Sequence, residues 1–73
     1  MADFKEVVRK RLQVLMAEAD MSTSQLAEKA GVNVETIRKY LRGEMVPMLD
    51  TAYKLAEALG CTPNDLCAFP KEG

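Results

Sequence analysis

The chain has 73 residues, 48% of them apolar, with ten Lys/Arg against eleven Asp/Glu and no histidine. A domain this small must commit most of its apolar side chains to one core, which leaves little interior for a substrate cavity of about 300–1,000 Å³. The net charge of −1 provides no global cationic field for nucleic acid or membrane, and the missing histidine removes the usual general base near pH 7 and the commonest metal ligand.

Asp3 and Glu6 read as a capping box, in which Asp3 accepts from the third helical N–H and Glu6 reaches back to the Asp3 N–H. Phe4, Val8, Leu12, Leu15 and Met16 then recur at helical spacing, which predicts a helix from about Phe4 to Ala19, ending before Asp20 and Met21. Ser22 and Gln25 form a second capping box for a short helix carrying Leu26, Ala27 and Ala30. Gly31 stops that helix, and Asn33 caps the next one. The third helix sets Ile37, Tyr40 and Leu41 on one side and Glu35, Arg38, Lys39 and Arg42 on the other, until Gly43 ends it. After a loop from Glu44 to Pro47, a fourth helix starts near Met48 or Leu49. Its stripe is Leu49, Ala52, Leu55, Ala56 and Leu59, and Gly60 is its cap. Thr62 caps a fifth, short helix with Pro63 at its first position and Asp65 near its positive end. Leu66 and Phe69 pack inward from it, and Pro70 closes it. No strand pattern, repeat or low-complexity segment appears, so one all-α domain of five helices spans residues 1–73, with its core at about 4–69.

Cys61 and Cys67 are too few for a disulfide framework and lack zinc-site spacing, so they read as reduced thiols in or near the core. No apolar run reaches the ~18 residues of a membrane span. The charged N-terminus is not followed by the apolar stretch of a signal peptide. The expectation is a soluble, cytoplasmic protein without cofactor or metal.

Charge is spread unevenly. Residues 1–43 hold eight basic and six acidic groups, whereas residues 44–73 hold two and five. A surface for a polyanion therefore belongs in the first part of the chain, and the informative stretch there is TSQLAEKAGVNVETIRKYLRG, residues 23–43. Two helices meet across a tight turn. Ala27 is small enough to let the backbones approach, and Gly31 tolerates the positive φ that the turn needs. Leu26, Ala30, Val32, Ile37 and Tyr40 seal the angle. That is the physical specification of a helix-turn-helix, whose second helix can enter a DNA major groove about 12 Å wide.

The chain resembles the phage-repressor or Cro-like helix-turn-helix proteins, also called the XRE family. The resemblance runs through Ser22, Leu26-Ala27, Gly31-Val32, Thr36-Ile37 and Gly43, then PMLDTAYKLAEALG from Pro47 to Gly60, then TPNDLCAF. It covers about Val8 to Phe69. It implies a five-helix, lambda-repressor-like domain of phage or mobile-element type, a homodimer that binds a short, roughly palindromic double-stranded operator and regulates transcription by occupying it. The resemblance places Asn33, Val34, Glu35, Arg38 and Lys39 at base edges or adjacent phosphates. It places Thr23 and Ser24 on the phosphate backbone with the helix N-terminus, and Arg42 and Gly43 near phosphate. Thr23 stands where the family often has glutamine, and Glu35 where a base-reading residue usually sits.

Bland readings stand beside these. Glu35 is either a carboxylate favoured by its helix N-terminus or an acceptor for cytosine N4. Arg38, Lys39 and Arg42 are either a solvated face or DNA contacts, and Lys5, Arg9, Lys10 and Arg11 read more readily as a solvated face than as phosphate contacts. Leu41, Met45, Val46 and Met48 either fold back on the core or, as Leu41, Met45, Val46 and Phe69, make a two-fold dimer contact. The alternative function is a protein-interaction module or antitoxin-like protein that kept the fold, with a protein partner and weak or no DNA binding. An enzyme has almost no support, with no activated nucleophile and no phosphate-cradling glycine loop.

Overall fold

In the computed structural model, which describes residues 3–67, the chain is all-helical, with no strand among the described residues. The elements are α1 (Phe4–Ala19), α2 (Thr23–Ala30), α3 (Val34–Leu41), α4 (Leu49–Leu59) and the single-turn α5 (Pro63–Cys67). Phe69 and Pro70 lie outside the described residues.

Helix α1 has the expected bounds, but neither half of the expected box forms, because the Asp3 side chain bonds the second helical N–H and not the third. Asp3 accepts from the backbone N–H of Lys5 at 3.1 Å. Glu6 does not reach back to Asp3. Its carboxylate takes the Arg9 guanidinium one turn on, with Nε at 2.9 and 3.0 Å from its two oxygens and Nη2 also bonded. A charge-assisted, two-pronged bond outcompetes a neutral backbone N–H for the same carboxylate. The helix ends in a left-handed Asp20 (φ 55°), with the Met21 N–H on the Met16 carbonyl at 3.0 Å.

The second box forms as read. The Gln25 N–H donates to Ser22 Oγ at 3.1 Å, and the Ser22 N–H donates to Gln25 Oε1 at 2.9 Å. Thr62 and Asp65 repeat the arrangement at α5, and the Thr62 hydroxyl also donates to the Asp65 carboxylate. The hydrogen bonds from the Thr62 backbone, and then from its hydroxyl, hold the Asp65 carboxyl below its usual range.

The core draws on every helix: Leu12 and Met16 from α1, Leu26 and Ala27 from α2, Ile37 and Tyr40 from α3, Ala52, Leu55 and Ala58 from α4, and Leu66 from α5. Helix α1 packs across α3, α4 and α5, while α2 packs on α3 and α4. Two ends of the sequence stripes stay in water. Phe4 is 40% exposed and Leu49 is 75% exposed. Leu49 lies three residues before buried Ala52 and so continues its face, but no described residue covers its side chain. Ala58, which the stripe did not include, joins the core instead. The outcome is an exposed apolar run of Met45, Met48, Leu49 and Tyr53 on a domain otherwise committed to one core.

Candidate nucleic-acid interface

The site grows from the angle between α2 and α3. Ala27 is buried where these two short helices pack, and its carbonyl accepts from both the Gly31 and Val32 N–H groups, at 2.9 and 3.0 Å. Gly31 has φ +71°, while a Cβ there would meet nothing within 4 Å. Glycine is needed for the left-handed backbone and not for space. Asn33 then caps α3, accepting from the Glu35 N–H at 2.7 Å.

Helix α3 is only eight residues long, too short to hold itself together in water. Its inner face fixes it. Ile37 is fully buried, Tyr40 nearly so, and Val34 and Leu41 pack against the same cluster. Burial pushes the Tyr40 phenol pKa up. The C-terminus closes in a two-bond cap, with the Gly43 N–H on the Tyr40 carbonyl at 3.1 Å and the Glu44 N–H on the Lys39 carbonyl at 3.0 Å. Gly43 takes φ +74° beside the Glu6–Arg9 pair of α1.

The outer face carries Glu35, Arg38, Lys39 and Arg42, all exposed. Glu35 accepts from Arg38 Nη1 at 3.4 Å and from Arg42 Nη2 at 3.1 Å, while Arg42 Nε donates to Glu44 at 2.7 Å. The arginine hydrogen bonds, those of Arg42 foremost, hold the Glu35 and Glu44 carboxyls below their usual range. The network therefore stands at neutral pH and dissolves only as pH falls through those lowered values. Lys39 makes no ion pair among the described residues.

The residues expected at DNA thus divide. Arg38, Lys39, Arg42 and Glu35 share one open face. Asn33 is exposed but spends its side-chain oxygen on the cap, and Val34 is half-buried against the core. Ser24 is exposed and Thr23 half-exposed at the start of α2. Neither backbone N–H has a partner among the described residues, as expected of a free helix N-terminus. Sequence reasoning missed Glu44 as the second partner of Arg42. An acid two residues after an arginine at a helix end was the available signal. Of the residues expected at a two-fold contact, Leu41 packs on the core, Val46 is half-buried and Met45 is 37% exposed, while Phe69 lies outside the described residues.

Grooves of about 240 and 340 Å³ flank Cys61, the first against α4 and the start of α5, the second against α1 and Asp65. Burial, and then the Asp65 charge, push the Cys61 thiol pKa up, which disfavours a nucleophilic thiolate. The described residues hold no group of three or more Cys, Asp or Glu placed to bind a metal ion. Among the described residues no helix is long and apolar enough to cross a membrane.

Comparison with known proteins gives a consistent result. The Cro/C1-type HTH DNA-binding domain profile matches residues 11–72. Two uncharacterized HTH-type transcriptional regulators of Archaeoglobus fulgidus are 35% and 32% identical over 65 residues. The matches cover 89% of this chain and 93% and 92% of theirs. The cryptic phage CTXphi transcriptional repressor RstR of Vibrio cholerae is 27% identical over 60 residues, covering 82% of this chain and 54% of its own. No solved structure matches with comparable significance.

Proposed function

The chain belongs to the Cro/C1-type helix-turn-helix family of DNA-binding domains, and from that premise we propose a transcriptional regulator that acts as a homodimeric, cytoplasmic repressor by occupying a palindromic operator. The fold is read as the five-helix, lambda-repressor-like domain. The observation that carries the reading is the outer face of α3, with Arg38, Lys39 and Arg42 in water and Ile37 and Tyr40 locked inside.

An α-helix is about 10–12 Å across with its side chains and fits a major groove of about 12 Å. In that pose Glu35, Arg38 and Lys39 meet base edges or flanking phosphates, with Asn33 and Val34 at the leading end. Arg42 lies near phosphate. The open N–H groups of Thr23 and Ser24, at the positive end of α2, take a phosphate of the backbone. Two such domains related by a two-fold axis place their α3 helices in successive grooves about 34 Å apart. The dimer contact is assigned to the loop carrying Met45 and Val46. Function is binding alone, and occupancy of the operator excludes polymerase. The relatives, all transcriptional regulators or repressors by name, do not favour a protein-interaction module.

Selection of bound sequences from random duplex DNA tests this reading. It should enrich an inverted repeat with half-site centres about 10 base pairs, or a multiple of that, apart. Affinity for the winner should fall steeply with salt. Failure to enrich any sequence, together with no binding of any duplex at low salt, would refute it.

A further inference from the structure

We propose that Glu35 is a specificity-determining positioning residue, which holds Arg38 and Arg42 on α3 until a base-edge donor takes its carboxylate. This rests on the DNA-binding reading above.

Glu35, Arg38 and Arg42 stand at i, i+3 and i+7, so they line one stripe along the exposed face. The carboxylate sits between the two guanidinium groups, at 3.4 Å from one and 3.1 Å from the other, and Glu44 closes on Arg42 from the loop at 2.7 Å. The signs alternate along Arg38, Glu35, Arg42 and Glu44, so the group is neutral as a unit. Two of the three cations on this face are thereby occupied, and Lys39 is left over. Each of the four side chains is about half exposed (47–53%), so DNA can reach them all. Exposed pairs of this kind are weak, and a better partner displaces them readily.

The groove supplies one. Once α3 excludes water there, Glu35 needs a donor, and cytosine N4–H₂ is a base-edge group that fits a carboxylate. Where that donor faces Glu35, the carboxylate moves to the base and both guanidinium groups turn to phosphate. Where it is absent, Glu35 keeps its arginines or stands unpaired beside phosphate. Sequence reading at one residue thereby controls backbone contact at two others. The same coupling keeps binding to arbitrary DNA weak, as suits a chain with a net charge of −1.

The test is a double-mutant cycle of Glu35→Gln and Arg42→Gln, read as affinity for a random-sequence duplex over a salt series. Circular dichroism of each variant confirms that it is folded. Glu35→Gln should bind random DNA roughly tenfold more tightly at low salt, with a salt slope steeper by about 0.9 for each arginine released. In the Arg42→Gln background that gain should shrink at least threefold (about 0.65 kcal/mol of coupling). An equal gain in both backgrounds would show that Glu35 merely repels phosphate and would overturn the proposal, as would no gain at all. A wild-type protein that binds no duplex at low salt would overturn the DNA-binding reading itself, a result distinct from the other two.

Discussion

Ile37→Ala should lower the melting temperature by roughly 10–30 °C, the equivalent of about 2–4 kcal/mol in a domain of this size. Ile37 is fully buried on the inner face of α3 and touches the cluster shared by all the helices. A chain of this length has a total stability of only about 4–11 kcal/mol. Truncation therefore removes a large share of what keeps the domain folded. The effect is concentrated on α3, because eight residues cannot sustain a helix without tertiary packing. Ile37 points away from the proposed DNA face, so binding should survive in the cold and fail near the lowered melting point. Thermal melts by circular dichroism, paired with binding at two temperatures, separate these effects. A drop of less than about 4 °C, under 1 kcal/mol, would mean that α3 is held by something other than this side chain.

Lys39→Ala should cost about 1–3 kcal/mol of operator affinity, roughly 5- to 150-fold, without moving the melting temperature appreciably. Arg38 and Arg42 enter the encounter already paired with Glu35 and Glu44, whereas Lys39 is exposed and makes no ion pair among the described residues. It is therefore the cation of this face that needs no exchange before meeting DNA. If it reads a base, selection with the variant should lose preference at one position of each half-site. Equal losses on operator and random duplex would make it a phosphate contact. No loss on either would remove Lys39 from the interface.

Local chemistry made most of the scaffold legible in the sequence. Ser22 and Gln25, Gly31, Asn33, and Thr62 each satisfy their own helix end within three or four residues, and each acts as read. Asp65, read only as an acid suited to the positive helix end, also accepts from the Thr62 N–H and hydroxyl. Ile37 and Tyr40 follow from periodicity alone. The misreadings arose where two local partners competed or where periodicity outran the fold. Glu6 had a choice between the Asp3 N–H and Arg9, and sequence spacing does not rank the two. Leu49 has the right spacing for the core, but no described element lies opposite it. The charge network on α3 spans seven residues and a loop, so it depends on rotamers and on the path of Gly43 and Glu44. The two-fold contact depends on a second copy's surface, and intrachain pattern carries no direct signal for it.

In the proposed complex, DNA sits on the outer face of α3. Backbone amide NMR during titration with the selected duplex tests this most directly. The largest shifts should fall on residues 34–42 and on Thr23 and Ser24, with the α4–α5 side around Cys61 little changed. Perturbations concentrated around Cys61, with α3 unmoved, would contradict it.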